Sequence, residues 1–194
     1  GVTFSPDGQT LYSAGADKTV RMWQTATGGP VATLTGHAAE VNSVCVTPDG
    51  RWLFSVDDEG ELRRWNAQTG ESHGSAARLP RRGWGLTVSR DASELWCVCN
   101  INSRQAICFW TLGPDGALSD LRNFDGMFDA VQPLGARRAL GVSAQVKTIS
   151  LLSDGQLPTA LTSVGQYLCA ALSTDGRVAA LGDALGHIAF YDPR

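Results

Sequence analysis

One spacing governs this chain. "FSPDGQTLYSAGADKTVRMW" at residues 4–23 returns as "VTPDGRWLFSVDDEGELRRW" at residues 46–65, so Trp23 and Trp65 stand 42 residues apart, as do Asp7 and Asp49. Asp91, in "SRDASELW", is one period further on, and Asp175, in "STDGRVAALG", two periods beyond that. The residue that ends each unit recurs as Trp110, Leu152 and Tyr191, the steps being 42, 45, 42 and 39. Repeats of this length are supersecondary units that bury their apolar faces only by stacking on neighbours. The small variations in step are what loops tolerate.

Within a unit the pattern predicts four short strands. In the second copy these are Val41–Val46, Trp52–Val56, Glu61–Trp65 and a weaker one over Ser72–Arg78. "TPDG", "DDEG" and "NAQTG" separate them, with Pro fixing the turn and Gly accepting positive φ. No 12-residue window shows helical periodicity. Strands so short need company to be stable. Four-stranded units stacked radially form a propeller, whose edges are short and protected.

Composition excludes several classes. Apolar residues are 43% of the chain and charged residues 18%, the balance of a folded domain. A net charge of −3 argues against a nucleic-acid surface, which needs a basic footprint. The run Arg78, Arg81, Arg82 reads as a solvated loop. No stretch reaches 18 apolar residues, so no helical membrane span is expected. The five cysteines, Cys45, Cys97, Cys99, Cys108 and Cys169, all fall in apolar strand-like runs. Cys97 and Cys99 share a strand face, but nothing supplies the other ligands of a metal site. Free buried thiols, a reducing compartment and a cytoplasmic location are expected, with no metal or other cofactor.

The units resemble WD-repeat β-propeller blades. The motifs that carry the resemblance are Gly36-His37, "FSPDG" at 4–8, Ser13 and Ser55, Asp17, and "TVRMW" at 19–23. The Asp of the Trp-Asp pair is replaced by Gln24, Asn66 and Thr111 and kept only at Asp192. Gly-His stands before an innermost strand only once, and Arg64 stands where Met22, Phe109, Leu151 and Phe190 pack in the other copies. The resemblance implies an all-β, single propeller region over 1–194, of four-stranded antiparallel blades at approximately 1–36, 37–79, 80–124, 125–164 and 165–194, the first and last incomplete. About 4.6 blades result, against the 4–8 of propellers. An incomplete part of a larger, seven-bladed ring is therefore expected in preference to a compact five-bladed one.

The resemblance also implies roles. It places His37, Ser55, Glu59 and Trp65 in a structural hydrogen-bond network, with Glu59 where Asp is usual, and Ser13, Asp17 and Trp23 in the same roles in the first copy. A Ser-His-acid triad is the competing reading. It is disfavoured because a repeated constellation points to scaffold. No metalloprotease, phosphate-loop, hydrolase or dinucleotide motif occurs. Partner contacts in the family concentrate where the innermost strands begin. Carried over by register, those positions are Glu40 and Asn42, Arg82 and Trp84, Met127 and Asp129, and Gln166 and Leu168, with Asp58 in a neighbouring turn. Trp84, flanked by Gly83 and Gly85, is either a rim anchor or interblade packing. The function implied is a non-catalytic scaffold for protein partners, with neither nucleic acid nor membrane as a partner. The alternatives are a regulatory propeller of a larger signalling protein, such as a bacterial Ser/Thr kinase, and, less favoured, an enzyme or small-molecule binder using the channel.

Overall fold

The computed structural model describes residues 1–101, 104–135, 137–143, 148–153, 159–162, 167–172, 178–183 and 188–191. Its described elements are all strands, so no helix among them is long and apolar enough to cross a membrane. Five antiparallel meanders follow one another. The first is β1 (Val2–Phe4), β2 (Thr10–Ala14), β3 (Val20–Gln24) and β4 (Pro30–Leu34). The second is β5 (Val41–Val46), β6 (Trp52–Asp57), β7 (Glu61–Asn66) and β8 (Ser72–Arg78). The third is β9 (Gly83–Val88), β10 (Glu94–Ile101), β11 (Arg104–Leu112) and β12 (Leu118–Asp125). The fourth is β13 (Ala130–Gly135), β14 (Arg138–Ser143), β15 (Thr148–Ser153) and β16 (Thr159–Thr162). The last has three described strands, β17 (Tyr167–Leu172), β18 (Ala179–Asp183) and β19 (Ile188–Tyr191).

The first strand of each sheet packs on the first strand of the next: β1 on β5, β5 on β9, β9 on β13 and β13 on β17. The sheets therefore fan in chain order about a common side. The period-2 alternation of a strand explains how one sequence serves two interfaces. Leu53 joins the core shared with the first sheet, whereas its neighbour Phe54 joins the core shared with the third. Leu95 likewise faces the second sheet and Trp96 the fourth. Trp96, Phe109 and Phe124 stack in that last core, with ring centroids 4.4 Å apart between Trp96 and Phe109. Val2 and Phe4 of β1 and Ile188 and Phe190 of β19 are exposed at the two ends of the fan.

The repeated turn has a physical cause that Pro and Gly alone do not supply. Asp7, Asp49 and Asp91 each accept a hydroxyl two residues upstream, from Ser5, Thr47 and Ser89, at 2.5–2.7 Å. Each also accepts the backbone N–H two residues downstream, from Gln9, Arg51 and Ser93. Desolvation opposes ionisation at Asp49 and Asp91, but these bonds favour the carboxylate and together hold all three acids below their usual pKa. The next residue has positive φ: Gly8 (70°), Gly50 (68°) and, without a glycine, Ala92 (55°).

Arg64 is accommodated between the second and third sheets. Its guanidinium lies 4.9 Å from the Trp52 ring centroid, and Nη1 donates to the Asp115 carbonyl at 3.0 Å. Gly116 of the same β11–β12 turn sits so close that a Cβ there would lie 2.8 Å from Trp52. Cys45, Cys97, Cys99 and Cys108 are free, buried thiols in the core between these sheets. Burial pushes the Cys97 thiol up. The side chain of Cys169 lies outside the described residues.

Candidate functional site

The second sheet contains a closed polar network. The β4–β5 loop carries His37, which is buried, and its imidazole bridges two groups of β6: Nδ1 lies 3.0 Å from Asp57 Oδ2 and Nε2 2.7 Å from Ser55 Oγ. Trp65 Nε1, on β7, donates to Ser55 Oγ at 2.9 Å. Asp57 Oδ1 accepts the backbone N–H of Glu59 at 3.1 Å and of Glu61 at 2.8 Å. A neutral imidazole with its proton on Nδ1 satisfies every link: it donates to Asp57, accepts from Ser55, and leaves Ser55 Oγ to accept the indole. Burial, the largest influence, holds the His37 pKa below its usual value and so favours that neutral form.

The acid of this network is Asp57, which corrects the expectation for Glu59. Glu59 is exposed, 3.7 Å from Arg78. Spacing pointed to Glu59 because it stands four residues after Ser55, as Asp17 stands after Ser13. Asp57 instead ends β6 and occupies the place of Gly15 in the first copy. Asp17 reaches the same space from two residues further on, since a Cβ built on Gly15 would meet Asp17 Oδ1 at 2.7 Å. Its Oδ1 accepts the N–H of Thr19, the register equivalent of Glu61. The carboxylate keeps its position in space while its residue moves along the chain. In the first sheet Trp23 Nε1 donates to Ser13 Oγ at 2.8 Å.

His37, Asp57 and the half-buried Glu61 present ligand atoms close enough together to be tested as a metal site. The donor set does not fit. Both imidazole nitrogens and both Asp57 oxygens already have partners, and the Arg63 guanidinium sits 3.1 Å from Glu61.

The rim lies where the inner strands begin, and backbone irregularities shape it. Asn42 is the extra residue of a bulge, because Val41 pairs Asp57 while Ser43 pairs Val56. Leu168 occupies the matching bulge of β17, between Tyr167 and Cys169. Bulges re-aim a side chain out of the pleat. Asn42 Nδ2 donates to Asp58 Oδ1 at 2.8 Å and to the Gly83 carbonyl at 3.2 Å. Arg82 Nε reaches Asp58 Oδ1 at 3.0 Å, the two side chains being 56% and 42% exposed. Asn42, Asp58 and Arg82 thus form one cluster across two sheets. Glu40 adjoins it through its carbonyl, which accepts the Asp58 N–H at 2.9 Å.

Trp84 is half-buried. Its Nε1 donates to the Asp129 carbonyl at 3.3 Å, and its ring packs on the core between the third and fourth sheets. Interblade packing, one of the two roles the sequence left open, is therefore present. Met127 is exposed on the same connection as Asp129. Gln166 lies outside the described residues, as does the side chain of Leu168.

Two rim features break the pattern of the repeat. The three residues that lengthen the third unit extend the β10–β11 hairpin, where Asn100 donates its N–H to the Arg82 carbonyl at 3.2 Å. Beside it, Arg78, Arg81, Arg82, Asp58 and Asn100 line an open groove. The "LPRRGW" stretch, with its proline and paired arginines, was the visible signal for that groove.

The comparisons agree with this geometry. The family model for the WD domain, G-beta repeat, matches residues 1–24 and 28–66. An uncharacterized WD repeat-containing protein of Synechocystis sp., sll1491, is 44% identical over 48 residues, covering 24% of this chain and 14% of that protein. The solved structure of U3-55K superposes with a TM-score of 0.80 at 18% identity, covering 98% of this chain and 60% of its own. At that identity the likeness speaks for the fold alone. The chain spans less than two thirds of either protein. WD40 propellers are in general protein-interaction scaffolds and are typically non-catalytic. Repeat, polar network and fold converge: residues 1–66 carry WD40 repeats, and the chain has the fold of a WD-repeat β-propeller.

Proposed function

We propose that this protein is a non-catalytic interaction platform and that its partner, a peptide or domain of another protein, docks on the rim built by Asn42, Asp58 and Arg82. The observation that carries the reading is the cross-sheet cluster itself. It holds charged, half-exposed side chains in fixed positions outside the core, where they add little to packing. Exposed ion pairs contribute only about 0–1 kcal/mol to stability. Arg is also among the residue types that dominate binding energetics. The arginine groove beside the cluster extends the surface available to a partner.

The test is affinity capture with crosslinking from cells that express the protein. Wild type is compared with Asp58→Ala/Arg82→Ala and with Leu121→Ala, an exposed position on β12. Proteins retained by wild type and Leu121→Ala but released by the double variant support the rim. An unchanged set of captured proteins in the double variant refutes it.

A further inference from the structure

The core shared by the second and third sheets holds four thiols, Cys45, Cys97, Cys99 and Cys108. Three of them stand on one face of the β10–β11 hairpin. Cys97 and Cys99 are two residues apart on β10 and so point the same way. On β11, Cys108 pairs directly with Cys97, and Ala106 pairs with Cys99. Register alone would therefore bring Cys108 to Cys97, its cross-strand neighbour.

The side chains meet otherwise. Cys97 Sγ turns to the backbone and lies 3.3 Å from the carbonyl oxygens of both Trp84 and Val98. Cys108 Sγ instead lies 3.0 Å from Cys99 Sγ, along the diagonal of the hairpin. The residue opposite Cys99 leaves room for this approach, because Ala106 carries only a methyl group. Both sulfurs of the pair are buried. The hydrogen bond with Cys108, the largest influence, holds the Cys99 thiol below its usual pKa against the opposing effect of burial.

We propose that Cys99 and Cys108 are an oxidisable pair that hydrogen peroxide closes to a disulfide within the third sheet, while Cys97 stays a free thiol. From 3.0 Å, the sulfurs need approach by only about 1 Å to reach bonding distance. The Cys99 thiolate attacks one peroxide oxygen. The O–O bond breaks, leaving a sulfenic acid on Cys99 and a hydroxide that takes the Cys99 proton and departs as water. The Cys108 thiolate then attacks the Cys99 sulfur. The S–S bond forms as the S–O bond breaks, and the expelled hydroxide leaves with the Cys108 proton as a second water. The two sulfurs together lose two electrons, and the peroxide gains them. Peroxide is small and uncharged, and it reaches the pair when the hairpin end opens, Cys99 standing two residues before the end of β10 at Ile101.

Peptide mapping reads the product. The folded protein is treated with hydrogen peroxide, its remaining thiols are blocked with iodoacetamide in denaturant, and it is cut with trypsin after Arg90, Arg104 and Arg122. Cys97 and Cys99 then lie on the peptide 91–104 and Cys108 on the peptide 105–122. Mass spectrometry should find these two peptides joined, lighter by two hydrogens than the two separately, with the blocking group on Cys97. Dithiothreitol should release them. The link should persist in Cys97→Ala and vanish in Cys99→Ala and Cys108→Ala. The wild-type map needs no variant, so a variant that fails to fold leaves the test intact. A link through Cys97 or Cys45, chains joined only to one another, or oxidation past the disulfide with no joined peptides overturns the inference. So does a folded protein whose thiols survive peroxide that oxidises the denatured chain.

Discussion

Replacing Asp57 by alanine removes the acceptor for three donors: His37 Nδ1–H at 3.0 Å and the N–H groups of Glu59 and Glu61 at 3.1 and 2.8 Å. The His37 and Asp57 side chains are both fully buried, so no water reaches that link in their place. A buried donor left without an acceptor costs about 1–3 kcal/mol. The two turn amides lie nearer solvent and recover part of their bonding from water. Together the losses come to roughly 3 kcal/mol, a fall of roughly 6–12 °C in Tm for a domain of this size. Glu59→Ala removes only an exposed side chain 3.7 Å from Arg78 and should stay within about 0.5 kcal/mol of wild type. Thermal unfolding by circular dichroism, with both variants in the same buffer, reads the difference. The network also sets a pH dependence. His37 has its folded pKa below the unfolded value of 6.5, so its neutral form contributes stability that is complete above about pH 6.5 and is lost as pH falls towards the folded pKa. That slope should flatten in His37→Gln. Equal losses in Asp57→Ala and Glu59→Ala, or a loss below about 1 kcal/mol in Asp57→Ala, would show that the carboxylate assignment is wrong.

Two further outcomes follow from turns. Ala92 holds φ 55° where Gly8 and Gly50 stand in the other copies. Ala92→Gly should therefore gain about 0.5–1 kcal/mol, the left-handed strain relieved less the added freedom of the unfolded chain, which thermal unfolding would register as a rise of about 1–4 °C. Gly116→Ala places a methyl 2.8 Å from Trp52 and 2.9 Å from Arg64. It should destabilise by about 1–3 kcal/mol and shift the Trp52 emission, because the β11–β12 turn must lift off the second sheet.

The 42-residue period, the strand positions of the second unit and the stacking of units were legible in the sequence because each is local or periodic. A turn needs Pro, Asp and Gly at fixed offsets. A strand buried on both faces needs an apolar residue at almost every position, as "ELWCVC" at 94–99 has. His37, Ser55 and Trp65 could also be named, since the repeat carries their types at their spacing.

Asp57 could not be separated from Glu59 by spacing, because a carboxylate can reach one point in space from two positions on a hairpin. The bulge at Asn42, the linkage of Asp58 to Arg82 and the half-burial of Trp84 depend on which strands meet and in what register. The sequence by itself determined that this chain must be a stack of four-stranded units, since the pattern of apolar residues and turns admits little else. The tertiary structure alone decided which polar groups meet, because hydrogen bonds form between atoms a few ångströms apart whose residues the chain separates by tens of positions.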